Sequence, residues 1–344
     1  MMQTVLLGDV IELVYGKSLP QRSRVSGRFP VFGSNGQVDM HNKYLVGGPG
    51  IIVGRKGSVG EVIWSKQDFW PIDTTYYVRL KNPDDDLRYW YYVLKTLGLN
   101  KLNSHSAIPG LNRDVAYIKQ VPLRSTLEQE KIANILGSLD EKIELNRRMN
   151  ETLEQLGQAL FRYYFVDNPE AKNWKKRSLG EFFPVKTGKK DANFSTKDGK
   201  FPFFTCAQTI SRAPSYSFDG SAILVAGNGD FNIKYYTGRF EAYQRTYVLI
   251  PHHEELLGFL YFLMKKDLSL ITGGSRGSVI KFITKGIIEN YRVELPDDND
   301  LAAFAPIFSE LLYLISHNNE QIQTLVALRD SLLPQLMTGK VEVK

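Results

Sequence analysis

Apolar residues fall into two kinds of pattern along this chain, and both kinds occur twice. In the first, short runs rich in β-branched and aromatic residues lie between turn formers: Ile51–Val53, Glu61–Trp64 and Thr75–Leu80 read as strands. A short helix is predicted near Leu6–Tyr15 and another from about Leu87 to Leu97. Frequent Gly, Pro, Asn and Asp residues interrupt these elements, which predicts a mixed α and β domain with long loops. In the second kind of pattern, apolar residues recur with a helical period over about 127–165 and again over 301–337, without proline except at the ends and at Pro306.

The helical runs share a heptad register. One apolar position carries Ile132, Leu139, Asn146, Leu153 and Leu160, and the other Leu136, Ile143, Asn150, Gly157 and Tyr164. A shift of 172 residues gives Phe304, Leu311, Asn318, Leu325 and Leu332, then Phe308, Ile315, Ile322, Arg329 and Leu336. Each helix would extend about 55 Å at 1.5 Å per residue, roughly twice the width of a small domain, so most of its stripe needs a partner beyond its own domain. The other helix is the obvious candidate. Asn146 and Asn318, near mid-helix, are expected to face each other in an antiparallel pair.

The same shift relates the globular halves. Leu7-Gly8-Asp9 is echoed by Leu179-Gly180-Glu181, Gly16-Lys17 by Gly188-Lys189, and Phe29-Pro30-Val31-Phe32 by Phe201-Pro202-Phe203-Phe204. Ile51–Gly54 meets Ile223–Ala226, and Gly57 meets Gly229. The expected fold class is therefore α+β: two mixed α/β domains, at 1–125 and 167–298, separated by two long antiparallel coiled-coil helices, at 126–166 and 299–344, with an internal pseudo-twofold repeat.

Composition adds the kind of partner. The chain has 344 residues and a net charge of +6, a balance that favours a polyanion. Its one cysteine, Cys206, excludes an internal disulfide and a thiolate zinc cluster, and points to a reducing cytoplasm. No stretch of about 18 uncharged apolar residues predicts a membrane span, and the amino terminus lacks an export pattern. There is no Gly-x-x-x-x-Gly-Lys-Ser/Thr phosphate loop, and Asn168-Pro169-Glu170 lacks the aromatic of a methyltransferase motif. The five histidines show no metal-like spacing, with His252-His253 expected in a loop, and Asp140-Glu141 is expected as solvated helix surface. No cofactor is expected.

Several strings identify a family. Ser106-Ala107-Ile108-Pro109-Gly110-Leu111-Asn112-Arg113, then Val121-Pro122-Leu123, resembles the end of a target-recognition domain in type I restriction–modification specificity subunits. Gln129-Glu130-Lys131-Ile132-Ala133 and Leu139-Asp140-Glu141-Lys142-Ile143 are similar to that family's spacer helix, and Leu332–Val341 to its ending. The second half departs from the pattern, with Gly274–Lys281 in place of the Ile-Pro-Gly-Leu-Asn-Arg string and Asp300-Leu301-Ala302-Ala303 at the helix start. The resemblance implies a subunit without chemistry of its own. It would bind double-stranded DNA at an asymmetric bipartite target, dock two adenine-methyltransferase subunits, and join restriction/translocase subunits in the full complex. The competing expectation is a coiled-coil scaffold that presents two protein-binding domains.

DNA binding needs cations for phosphates and forked or amide side chains for base edges, carried on loops or helix ends. In the first half the candidates are Lys17, Arg22 and Arg24, then Asn35, then Arg55, Lys56 and Ser58 beside Gly57, and finally His105 and Arg113. In the second they are Lys189 and Lys190, Asn228 beside Gly229, Gln244 and Arg245, and Arg276, Ser278 and Lys281 around Gly277. Arg55 and Arg276 are the leading candidates for guanine or phosphate, because arginine's planar fork grips both bidentately, and Asn228 and Gln244 for adenine.

Overall fold

The computed structural model describes residues 3–102, 110–273 and 281–343. They group into two compact units, Met1–Glu144 with Gln323–Lys344, and Leu145–Ile322.

In the first unit, β1 (Thr4–Leu6) leads into a one-turn helix α1 (Leu7–Val10) and then directly into β2 (Ile11–Tyr15). The single helix expected over Leu6–Tyr15 is thus corrected. Ile11-Glu12-Leu13-Val14 alternates buried and more exposed side chains with period two, and the β-branched and aromatic residues of Ile11–Tyr15 zip onto a neighbouring strand instead of continuing the helix. There follow β3 (Phe29–Gly33), β4 (Gly36–His41), β5 (Gly50–Gly54), β6 (Val62–Ser65), β7 (Trp70–Pro71) and β8 (Thr75–Leu80). The order β2-β8-β5-β6 makes an antiparallel sheet, and β4-β3-β7 a smaller one in which β3 and β7 run parallel. Helix α2 (Leu87–Thr96), capped by Asp86 at 2.7 Å from the Tyr89 N–H, buries Tyr89, Trp90 and Tyr92, each contributing about 1.5–3 kcal/mol. Helix α3 (Arg113–Tyr117) and β9 (Gln120–Pro122), which pairs with β1, lead into α4 (Thr126–Phe165).

The second unit repeats the plan at the 172-residue offset. Strands β10 (Lys175–Ser178), β11 (Val185–Thr187), β12 (Phe201–Phe204), β13 (Ser211–Ala213), β14 (Phe218–Ala226), β15 (Ile233–Ala242) and β16 (Thr246–Leu249) precede α5 (Leu257–Gly273), α6 (Lys285–Glu289), β17 (Arg292–Leu295) and α7 (Asp298–Thr338). Here the sheets fuse into one of six strands, β11-β16-β14-β15-β12-β13. The fusion arises because β15 is long enough to pair with β14 along one part and in parallel with β12 along another, doing the work of both β6 and β7.

Helices α4 and α7 contribute to both units, and within each unit their segments pair antiparallel. In the first unit Ile132 and Leu136 share a core with Leu336 and Met337, and Arg329 Nη1 donates to Asp140 Oδ1 at 2.7 Å. In the second, Phe161 and Phe165 stack among Phe259, Phe304 and Phe308. All twenty heptad seam positions predicted on the two helices are buried or half-buried. Both helices start at a side-chain cap on the same repeat position: Ser125 exchanges hydrogen bonds with Glu128, and Asp297 accepts from the Asp300 N–H at 3.0 Å.

Two expectations about these helices are corrected. Glu141 is exposed helix surface as expected, though it pairs with Arg88 at 2.6 Å, whereas Asp140 is half-buried: its Oδ2 accepts from the Tyr92 hydroxyl at 2.6 Å and its Oδ1 from Arg329. They fasten α2 to the helix because the sheet-side helix lies alongside their face of α4. Nor are Asn146 and Asn318 hydrogen-bonded to each other. Asn146 Nδ2 donates to Gln321 Oε1 at 3.0 Å, Asn318 Nδ2 to Asn150 Oδ1 at 2.9 Å, and Asn150 Nδ2 to Asn319 Oδ1 at 2.9 Å, so the seam carries a layer of amides displaced by about one turn. Among the described residues no helix is long and apolar enough to cross a membrane.

Candidate nucleic-acid interface

The first unit gathers three of its sequence-predicted cations, Arg55, Lys56 and Arg113, around one cleft. Strand β5 ends at Gly54, and the next residues turn back so that Arg55 N and Lys56 N both donate to the Thr74 carbonyl, at 2.9 and 3.1 Å. Gly57 takes φ +79°, a left-handed conformation that suits glycine, and the turn closes against the β3–β4 tip, where Ser58 Oγ donates to Asn35 Oδ1 at 3.2 Å. From the far side of the sequence, Leu111 N donates to the Arg55 carbonyl at 2.9 Å and Lys56 bridges to Gly110. That docking brings Arg113, the first residue of α3, next to Arg55.

Between them lies Tyr15, at the exposed end of β2. Its ring sits 4.7 Å from the Arg55 guanidinium carbon and 5.1 Å from that of Arg113, and 5.0 Å from the ring of Tyr76. Arg55 Nη1 also donates to the Asp73 carbonyl at 3.0 Å, so its fork is held from two directions. Tyr76 anchors the floor by donating to the Leu111 carbonyl at 3.0 Å; burial first, and then its hydrogen bond with Tyr15, pushes its phenol up to about 12. The cleft bounded by Tyr15, Arg55, Lys56, Tyr76 and Gly110–Asp114 has a volume of about 460 Å³. Lys17, exposed, stands two residues beyond Tyr15, its carbonyl accepting from Trp70 Nε1 at 2.9 Å.

Two predicted residues stand apart from this cleft. Arg22 is exposed on a short turn at Gln21–Ser23. Arg24 is tied down: Nε donates to the Leu19 carbonyl at 3.1 Å and Nη1 to Asp39 Oδ2 at 3.2 Å, leaving its side chain 15% exposed. It braces the chain against β4, and its fork is spent. His105, Arg276 and Ser278 lie outside the described residues.

In the second unit the equivalent backbone closures recur with other side chains. Ile283 N donates to the Gly227 carbonyl at 2.9 Å, Asn228 bridges to Phe282, and the Tyr247 hydroxyl donates to the Ile283 carbonyl at 2.9 Å, matching Leu111 with Arg55, Lys56 with Gly110, and Tyr76 with Leu111. Gly229, at φ +70°, donates its N–H to the Lys281 carbonyl at 3.2 Å, which puts Asn228 and Lys281 on one rim. Gln244 joins the other predicted stretch: its N–H donates to the Lys190 carbonyl at 2.9 Å and Nε2 to Asp191 Oδ1 at 2.6 Å. Lys190 lies 4.5 Å over the Phe194 ring, while Lys189 and Arg245 are exposed.

Sequence reasoning missed Tyr15 because it read that residue as the end of a helix, and Tyr76 because a strand aromatic reads as core. By the β2 alternation Tyr15 belongs on the buried face with Ile11 and Leu13, so its exposure at the strand end had no signal in the pattern.

A curated relative, the EcoDI type I restriction enzyme specificity subunit of Escherichia coli, is 43% identical over 173 residues, a stretch that makes up 49% of this chain and 39% of that protein. The chain thus matches about two fifths of the length of that relative. The MjaIX specificity subunit of Methanocaldococcus jannaschii is 24% identical over 341 residues, covering 86% of this chain and 78% of that one. The fold is shared with the crystal structure of a type I restriction–modification S subunit from M. genitalium, with a TM-score of 0.68, 20% identity, and coverage of 98% of this chain and 96% of that one. The type I restriction modification DNA specificity domain matches twice, over residues 1–155 and 171–326, and with a domain copy in each half this chain belongs to that family.

Proposed function

We propose that the chain is the non-catalytic, cytoplasmic DNA-reading subunit of a type I complex, with residues 1–125 and 167–298 each reading one half of an asymmetric bipartite target. The observation that carries this reading is that the same backbone closures recur in both units with different side chains at the rim. Arg55 and Arg113 in the first have Gly227 and Lys285 at the equivalent positions in the second. A common frame presented to a uniform backbone, with unlike groups toward the bases, is what two unlike half-sites require.

The same reading has adenine-methyltransferase subunits docking on the helices, with restriction/translocase subunits joining the assembly. Its support is an outward apolar stripe. Met149, Leu156 and Tyr163, seven residues apart on α4, are 43%, 45% and 68% exposed, and Leu145 beside them is 51% exposed. Exchange of residues 1–125 for the matching domain of a relative, followed by mapping of modified adenines in cells that also express the methyltransferase, tests the modular reading. One half of the motif should change and the other stay. A change in both halves together would refute it, and absence of any duplex binding at low salt would favour the scaffold of two protein-binding domains.

A further inference from the structure

The two units differ most where the first builds its arginine cluster. Lys17 has an equivalent in Lys189, and Gly57 in Gly229, so the features that suit a sugar–phosphate backbone occur in both halves. Tyr15, Arg55 and Arg113 do not recur; Thr187, Gly227 and Lys285 stand in their places. Phosphates are alike at every step of a duplex, so a pseudo-repeat can keep the same phosphate contacts in both copies, whereas groups that read bases must differ. The arginine cluster falls in the second class.

Its construction agrees. A phosphate needs charge, which exposed Lys17, kept as Lys189 in the second copy, already offers on a flexible stem. Arg55, by contrast, is fixed by its bond to the Asp73 carbonyl and by the Tyr15 ring 4.7 Å away, and the same ring lies 5.1 Å from Arg113. Restraining a planar fork in advance lowers the entropy lost on binding, and the gain is greatest for a partner that offers two acceptors at fixed separation. On the major-groove edge of a base pair that partner is guanine, through O6 and N7.

We propose that Tyr15 is a positioning residue that holds Arg55 and Arg113 for guanine, so that the half-site read by residues 1–125 contains a G·C pair contacted by this cluster. The inference rests on the DNA-reading function proposed above.

The test uses the full chain assembled with its methyltransferase, and duplexes carrying the mapped target with each guanine of the first half-site replaced in turn by 7-deazaguanine, which lacks the N7 acceptor and leaves the phosphates intact. Wild type should lose about tenfold in affinity at one such guanine. Tyr15→Phe, which keeps the ring, should retain that discrimination. Tyr15→Leu should abolish it, and Arg55→Lys, which keeps the charge and burdens the fold least, should do the same, each losing more affinity on the target duplex than on a random one. The proposal fails if the first half-site has no guanine on either strand, if no deaza substitution matters, or if Tyr15→Leu and Arg55→Lys weaken every duplex equally, which would make the cluster a phosphate clamp. Failure of wild type to bind any duplex would instead overturn the DNA-reading function itself.

Discussion

Arg24 and Arg55 carry the same side chain on two loops of the first unit, and only their surroundings separate them. Arg24 spends its donors on the Leu19 carbonyl and Asp39, whereas Arg55 is held by one carbonyl and one ring at the lip of a cleft. Arg24→Ala should therefore lower the thermal midpoint and leave the recognised sequence unchanged. Arg55→Ala should leave the midpoint nearly alone and weaken one half-site by about 1–3 kcal/mol. Melting curves and modification maps of the two variants check this, and equal loss on every duplex from Arg55→Ala would make it a phosphate contact. Carboxylates give a second prediction at this scale. Hydrogen bonds hold four of them below the ordinary range: Met40 N–H and Arg24 act on Asp39, the Ser125 hydroxyl on Glu128, Arg88 on Glu141, and Ser178 N–H on Glu181. A carboxyl group whose folded pKa is depressed adds stability above its unfolded value, and that stability is lost as pH falls through the folded value. The thermal midpoint should hold from about pH 7 to pH 5 and drop below about pH 4, where the unfolded groups titrate. A midpoint that fell already between pH 7 and pH 5 would point to some other group.

Elements were legible where a period ran long and obscure where chemistry was local. Five heptads on each helix fixed the seam, but not the amide partners inside it, because a shift of about one turn in the pairing changes which amides meet while still matching a and d positions. The structure makes the members of that layer unequal. Asn146 is fully buried, donates to Gln321 and has no partner for its Oδ1, while Gln321 also reaches His317 at 2.8 Å. Asn150 serves both Asn318 and Asn319. Asn146→Leu should thus change stability by less than about 1 kcal/mol, one lost bond being offset by removal of an unpaired carbonyl, while Asn150→Leu takes the acceptor from the buried Asn318 amide and should cost about 1–3 kcal/mol. Chemical denaturation of both variants ranks them, and the reverse order would show that the layer is held by something other than these bonds. Strands β5, β6 and β8 were likewise readable from β-branched runs, whereas the helix-to-strand switch at Ile11 was not, since four residues of helix are too few for a period to register. The cleft was half legible: its cations stood out, but Tyr15 needed the neighbours that folding supplies.

At the scale of the whole molecule, the 172-residue repeat carries from letters to elements: α3 and α6, β9 and β17, and α4 and α7 begin at positions related by it. The long helices belong to both units, and if the chain reads DNA as proposed, their length should bear on how far apart the two half-sites lie. At 1.5 Å per residue, a duplication of four residues within α4 adds about 6 Å, just over one helical turn. Along B-DNA, at about 3.4 Å per base pair, that is close to two base pairs. Four residues is also the insertion a heptad seam absorbs by local unwinding, so the variant should fold, with a thermal midpoint near that of wild type. Modification mapping should then find the same two half-sites, separated by one or two more unread base pairs, with the original target no longer modified. The half-sites stay because no residue of either reading domain changes; the spacing moves because the link between them has lengthened. Recovery of the original spacing in a folded variant would show that the helices are not the ruler, and that the separation is imposed by the methyltransferase subunits on the assembled complex.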